Sequence, residues 1–423
     1  MLMALLLGGL VACLAFYHAK DASNPAQGEN FYHGQHITDP HLCHRLIAGK
    51  SLSDTHRNLL QPLGSRAEDN RRLVDAFNID NAFTSADEVY VKHFVKEAQS
   101  RISLTSEQWK VISGLAQYAV RGWTESSQSV SEHDDHITIR IKLASMVQAV
   151  CLRVVLKILF KIEKEVASDD QLVSLAEAIN RAWIVSKTQE GSRYGEDRDL
   201  QNALSAVFPD TNVFEPRENP LNFILPAFET LWRIVLRTFV EVKFTTGSKH
   251  PEWQDILIAF AGDPTKSQFE LKAAEWKGIS AEFIVSEALR LYPPTRRVHR
   301  TFKWTTTGEQ ISIAADIEAC HTASKIWGPH ALTFNPARFG KLTREQKGAF
   351  MPFGAAQFIC PAKPVFGPRI IGLLAGTLLS ELKNDWELNS DNAKVMEELN
   401  IGNKLCLNRE AYEDVFLVRI RRR

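Results

Sequence analysis

Apolar side chains recur at three- and four-residue intervals over much of the chain, the spacing that puts them on one face of a helix. Residues 139–163 (IRIKLASMVQAVCLRVVLKILFKIE) follow this period with one basic face and predict a helix. Residues 169–188 open on Asp169 and Asp170, which suit a first helical turn, and predict another. Residues 219–244 are apolar nearly all round, so that helix is expected to run buried through the middle of the fold. Further helices are predicted at 267–292 and 367–388. Strand patterns occupy 298–305, 309–314 and Val415 to Ile420, whereas 20–60 is polar and rich in turn residues. No internal repeat interrupts this order. The pattern predicts a mainly α fold with a small β part, continuous as one domain over residues 20–423.

Composition narrows the class. The 423 residues carry 50 basic and 50 acidic side chains, a formal net charge of zero. A nucleic-acid binder that neutralises phosphates needs a basic surplus, so that class is excluded. With 44% hydrophobic and 24% charged residues the chain is no solvated disordered polymer. A mean hydropathy of −0.19 excludes a polytopic membrane protein. The six cysteines are scattered, without zinc spacing or a disulfide framework, and fit a reducing compartment. Met1 to Tyr17 are uncharged, just long enough to cross a bilayer. No basic residue precedes this run and no small-x-small site ends it, which favours an uncleaved anchor over residues 1–19 against a signal peptide.

Three stretches carry candidate chemistry. The first is Met351-Pro-Phe-Gly-Ala-Ala-Gln-Phe-Ile-Cys360-Pro-Ala. A cysteine ahead of a helix is expected in positive potential, which favours thiolate, and the small residues around it admit a flat, bulky partner. Axial ligation of haem iron fits that combination; a buried core cysteine fits it too. The second is Glu287-Ala-Leu-Arg290, whose i, i+3 spacing allows pairing on one helical face among apolar neighbours. A buried pair is costly without further partners, and Arg338 is a candidate third member. The third is Pro226-Ala-Phe-Glu229-Thr230, a polar pair inside an apolar helix, where Pro226 removes a backbone bond, kinks the helix and frees a carbonyl.

Taken in order, Glu287-x-x-Arg290, Pro336-Ala-Arg338-Phe339 and Phe353 through Cys360 to Ala362 resemble the haem-thiolate monooxygenases of the cytochrome P450 family. Leu291-Tyr-Pro-Pro and Ala315-Asp-Ile-Glu-Ala add to the likeness, which covers roughly residues 220–380. The resemblance implies the cytochrome P450 fold and a single haem domain behind one N-terminal membrane helix. It implies haem b with Cys360 as the proximal thiolate ligand, and Phe353 packed beside the sulfur. It implies that Glu287, Arg290 and Arg338 form a salt-bridged core, that Glu229 and Thr230 deliver protons to iron-bound dioxygen, and that Arg300 and His299 meet the haem propionates.

The implied function is insertion of one oxygen atom from dioxygen into an apolar small molecule, in natural-product biosynthesis. Electrons would come from NADPH through NADPH-cytochrome P450 reductase, drawn to Lys341, Arg344, Lys347, Lys363 and Arg369. The implied location is the endoplasmic reticulum membrane, single-pass, with the catalytic part in the cytosol. Alternatives are a haem-thiolate isomerase or dehydratase that uses no dioxygen, and a non-catalytic member.

The sequence departs from the family pattern at several points. Ala356 stands where glycine is expected, at a strain of about 1 kcal/mol if φ is positive there. Phe358 replaces the basic residue two before the cysteine, and no Trp-x-x-x-Arg helix pair is evident. Pro364 and Pro368 crowd the next helix, and the part before residue 220 is short for the family.

Overall fold

The computed structural model describes residues 36–52, 58–126, 129–132, 136–162, 167–188, 191–303, 310–382, 385–400 and 412–422. The anchor predicted over residues 1–19 lies outside them.

In chain order, β1 (His36–Ile37) leads into α1 (Pro40–Ile47), α2 (Pro62–Asp69), α3 (Arg71–Phe77), α4 (Glu88–Arg101) and α5 (Ser106–Ser126). The hairpin β2 (Ser129–Glu132) and β3 (His136–Lys142) follows, then α6 (Leu143–Phe160), α7 (Asp169–Val185), α8 (Arg198–Val207), α9 (Leu221–Phe244), α10 (Pro251–Gly262), α11 (Lys266–Glu270) and α12 (Ala281–Leu291). The remainder comprises β4 (Arg297–Lys303), β5 (Gln310–Asp316), α13 (Ile317–Thr322), α14 (Ser324–Trp327), α15 (Arg344–Ala349), α16 (Phe366–Glu381), β6 (Glu387–Ser390), α17 (Ala393–Asn400) and β7 (Val415–Arg422). Two small sheets, ordered β1-β5-β4 and β2-β3-β7-β6, flank the helical mass. The fold is mainly α with a small β part, as the apolar pattern predicts.

The core forms where α9 packs against α6, α12 and α16, and where α5 packs on α6 and α16. Phe228, Trp232, Leu236 and Phe239 of α9 are fully buried, so the expectation for 219–244 holds. Among the described residues α6 alone is long and apolar enough to span a membrane, but it is buried inside this core.

Several boundaries differ from the sequence expectation, each for a local reason. Residues Ile139 to Lys142 are strand, not helix: Ile139 and Ile141 point inward while Arg140 and Lys142 alternate outward, and the segment pairs with β7. Helix α7 is capped by Ser168 rather than by an aspartate, with Gln171 closing a reciprocal capping box. The helix predicted at 267–292 is broken. Gly278, at φ +72°, ends the preceding turn, and Ser280 caps a new helix that begins at Ala281. The turn read at Asp39-Pro40 is a helix start: the Asp39 carboxylate accepts from Leu42 N–H, and Cys43, Leu46 and Ile47 bury one face of α1.

Candidate functional site

The loop that ends on Cys360 is built from backbone bonds. Cys360 N–H donates to the Phe353 carbonyl (2.8 Å), and Phe358 N–H donates to Ala355 O (3.2 Å). Gly354 takes φ +76°, with the Phe358 carbonyl where a Cβ would sit, 2.9 Å away. Ala356 takes φ +50°, so the strain anticipated for alanine at this position is present. The Phe353 ring lies against Gly367 of α16, where a Cβ would come within 2.8 Å of it. A side chain at 367 would push that ring off the loop.

The electrostatics of the sulfur differ from the expectation. Helix α16 begins at Phe366, beyond an intervening turn, so Cys360 is not at its N-terminus and gains no first-turn dipole. Burial raises the thiol above its ordinary pKa, and the Ala362 N–H opposes that shift. The late helix start also settles the prolines: Pro364 precedes the helix, and Pro368 lies in its first turn, where N–H groups have no intrahelical partner.

Glu287, Arg290 and Arg338 come together in one cluster. Arg290 donates from Nε and Nη2 to the two Glu287 oxygens, each at 2.8 Å, and both side chains have 0% exposure. Arg290 Nη1 also reaches the carbonyls of His321 and Ala331, both at 2.7 Å. Arg338 Nε and the Asn335 N–H both donate to Glu287 Oε1, each at 2.9 Å. Arg338 Nη2 adds bonds to the carbonyls of His330 and Thr333. Two guanidinium groups share one carboxylate, and backbone carbonyls take the remaining donors, which is what makes burial of these charges tolerable.

His321 extends this cluster and was missed in the sequence. Its Nε2 accepts the Met351 N–H (2.9 Å), which places the proton on Nδ1 facing the Arg290 carbonyl (3.2 Å). Burial, with Arg290 beside it, pushes its pKa down to about 3. Neutral His321 thus ties the Glu287–Arg290 helix to the start of the Cys360 loop. The one available signal was a lone histidine between Cys320 and Thr322, too weak to select it.

Helix α9 carries Glu229 and Thr230. Pro226 has no N–H for the Asn222 carbonyl one turn earlier, and the buried Asn81 Nδ2 donates to that carbonyl instead (3.1 Å). Thr230 Oγ1 donates to the Pro226 carbonyl (3.2 Å). Glu229 is 2% exposed. The packing of α9 on α16 brings this helix alongside the one that follows the Cys360 loop.

Arg300 is 3% exposed, with Nε and Nη2 on the Ile47 carbonyl at 3.1 and 2.9 Å and Nη1 on the His299 carbonyl at 2.7 Å. Its guanidinium stacks 5.0 Å from the Phe358 ring centroid. His299 alternates to the other side of β4 and exposes its ring, so it meets Arg300 only through its backbone. Lys341, Arg344, Lys347 and Lys363 are exposed, but Arg369 is not part of that surface. It is buried, donates to the Pro264 carbonyl and stacks on Trp109.

These features fit a haem. A cysteine sulfur ends a loop that carries the small residues Gly354, Ala355 and Ala356, and two buried guanidinium groups, Arg66 and Arg300, stand over the Phe358 ring of that loop.

The cytochrome P450 family model matches residues 281–398. Cytochrome P450 734A5 of Oryza sativa subsp. japonica is 31% identical over 181 residues, 38% of this chain and 31% of the rice protein. The 11-oxo-beta-amyrin 30-oxidase of Glycyrrhiza uralensis is 32% identical over 184 residues, 40% of this chain and 32% of that oxidase. The chain therefore spans about a third of the length of these relatives. The crystal structure of the cytochrome P450DA heme domain superposes with a TM-score of 0.54, covering 91% of this chain and 85% of that one at 15% identity. A six-coordinate cytochrome P450 from Thermus thermophilus gives 0.51 over 81% and 83%, also at 15% identity. At such identities the structural likeness establishes the fold.

Proposed function

The chain belongs to the cytochrome P450 family, and from that premise we propose that it is a haem-thiolate monooxygenase acting on an apolar small molecule. The observation that carries the proposal is the Cys360 loop, closed on Phe353 and braced through His321 by the Glu287–Arg290–Arg338 cluster. Bound haem would supply the iron at which dioxygen is activated, with thiolate ligation favouring O–O cleavage.

The residues would divide the work as follows. Cys360 Sγ would hold the haem iron, with the Ala362 N–H moderating its charge. Phe353, locked against Gly367, would shield the sulfur from water. Arg300 would face a haem propionate, and His299 would support it through the carbonyl that accepts from Arg300. Glu229, 2% exposed and close in sequence to the buried Leu225, Phe228 and Trp232, and Thr230 would hold and pass protons. Thr230 Oγ1 lends its proton to the Pro226 carbonyl and keeps lone pairs to accept another. A haem-thiolate isomerase that uses no dioxygen has less need of such a pair, so its presence favours oxygen activation.

NADPH-cytochrome P450 reductase is the proposed electron source, meeting the exposed Lys341, Arg344, Lys347 and Lys363 near the cysteine. Natural-product biosynthesis at the endoplasmic reticulum membrane, through an anchor at residues 1–19, completes the proposal. A relative named as an oxidase supports the oxidative chemistry.

The test is turnover of a panel of apolar compounds with the reductase, NADPH and isotopically labelled dioxygen. One labelled oxygen atom per product is expected, and Thr230→Val should lower product per NADPH about a hundredfold, the lower end of the range usual for a positioned proton donor. Product that carries no label contradicts the proposal.

A further inference from the structure

Arg66 sits in α2, far in sequence from the Glu287–Arg290 helix and the Cys360 loop. Its side chain is 7% exposed, and among the described residues neither Nε nor Nη2 has a hydrogen-bond partner. A buried guanidinium without an acceptor is costly, so its retention calls for an anion. Burial and the positive charge of Arg300 together push Arg66 down to about 9.

The geometry shows where an anion would lie. The Arg66 guanidinium stands 4.2 Å from the Phe358 ring centroid, and that of Arg300 stands 5.0 Å from the same ring. Ser65 Oγ donates to the Thr301 carbonyl and fixes α2 against β4, so the two arginines are held by packed elements, not by a mobile loop. The acid on the same helix, Asp69, accepts from Ser312 Oγ (2.6 Å) and is drawn to Arg300 and His299, not to Arg66. Phe358 is two residues from Cys360, which ties the pair of arginines to the cysteine loop.

We propose that Arg66, together with Arg300, binds a carboxylate of the haem, so that a residue of α2 supplies the cationic contact absent at position 358. The proposal rests on the haem reading above. The propionate would take charge-assisted bonds from both guanidinium groups, with the Phe358 ring beneath them as an apolar platform.

The experiment measures the rate of haem transfer from the holoprotein to excess apomyoglobin. Wild type, Arg66→Ala and Arg66→Met are compared, each loaded with protohaem or with its dimethyl ester, in which both carboxylates are blocked. Arg66→Met keeps the length and packing of the stem, and it decides the matter if Arg66→Ala does not fold. Loss of one charge-assisted contact should speed protohaem release about tenfold or more. With the dimethyl ester, variant and wild type should release at equal rates. Wild-type release of protohaem from a folded variant overturns the proposal, as does a difference that persists undiminished with the ester. If wild type itself takes up no haem, the monooxygenase reading falls with it; if wild type holds haem and the variants hold it equally well, the Arg66 assignment alone falls.

Discussion

Arg290 meets Glu287 through two parallel hydrogen bonds of 2.8 Å, in a site from which both side chains are wholly closed to solvent. Arg338 shares the same carboxylate, so removing its charge strands two cations. Glu287→Gln should cost about 3–5 kcal/mol, the usual penalty for breaking a buried pair by deleting one partner. Denaturant unfolding checks this, and haem incorporation should fall with it.

The second prediction concerns acid. His321 has a folded pKa of about 3, below the ordinary histidine value. The unfolded chain therefore binds the extra proton first as pH falls. The stability contributed by neutral His321 is complete above about 6.5 and is lost progressively towards 3, at about 1.4 kcal/mol per pH unit. Stability curves against pH for wild type and His321→Gln should diverge most near neutrality and converge in acid. Parallel curves would remove His321 from the account.

The third prediction concerns strain. Ala356 adopts φ +50°, a conformation that costs an alanine about 1–2 kcal/mol, whereas glycine there adds about 0.4–1 kcal/mol of unfolded-state entropy to overcome. Ala356→Gly should raise the melting temperature slightly, with a net gain below about 1 kcal/mol. Calorimetry reads the sign directly.

A fourth concerns the carbonyl that Pro226 leaves open in α9. Asn81 Nδ2 occupies the carbonyl that Pro226 leaves open, and Asn81 Oδ1 also accepts from Phe83 N–H. Asn81→Ala should cost about 1–3 kcal/mol by leaving a buried carbonyl unpaired. The double variant with Pro226→Ala should recover part of that cost, because the helix can then close its own bond. Denaturant midpoints for the four proteins test the coupling.

What the sequence made legible follows from what each feature requires. Glu287 and Arg290 could be read because i, i+3 spacing presents them to each other, and Arg338 because a buried pair needs a further partner. The burial of α9 could be read because apolar residues cover most of its circumference. Other features depend on contacts between distant segments. Arg66 is an ordinary helical arginine until β4 and the Cys360 loop close around it. His321 gains its meaning from the Met351 N–H and the Arg290 carbonyl. The strand at Ile139 to Lys142 was hidden because its inward isoleucines blend into the apolar period of α6, and only pairing with β7 separates them. The expected helix-dipole effect at Cys360 failed for a local reason: the chain spends residues 361–365 in a turn before α16 starts.

The central claim is that Cys360 ligates haem as a thiolate, and the carbon-monoxide difference spectrum of the reduced protein tests it most directly. Wild-type protein expressed with ample haem should give the strongly red-shifted Soret band of thiolate ligation, and Cys360→Ala should lose it while keeping its helical circular dichroism. A folded, haem-replete wild type without that band, or a Cys360→Ala variant that retains it, would contradict the account.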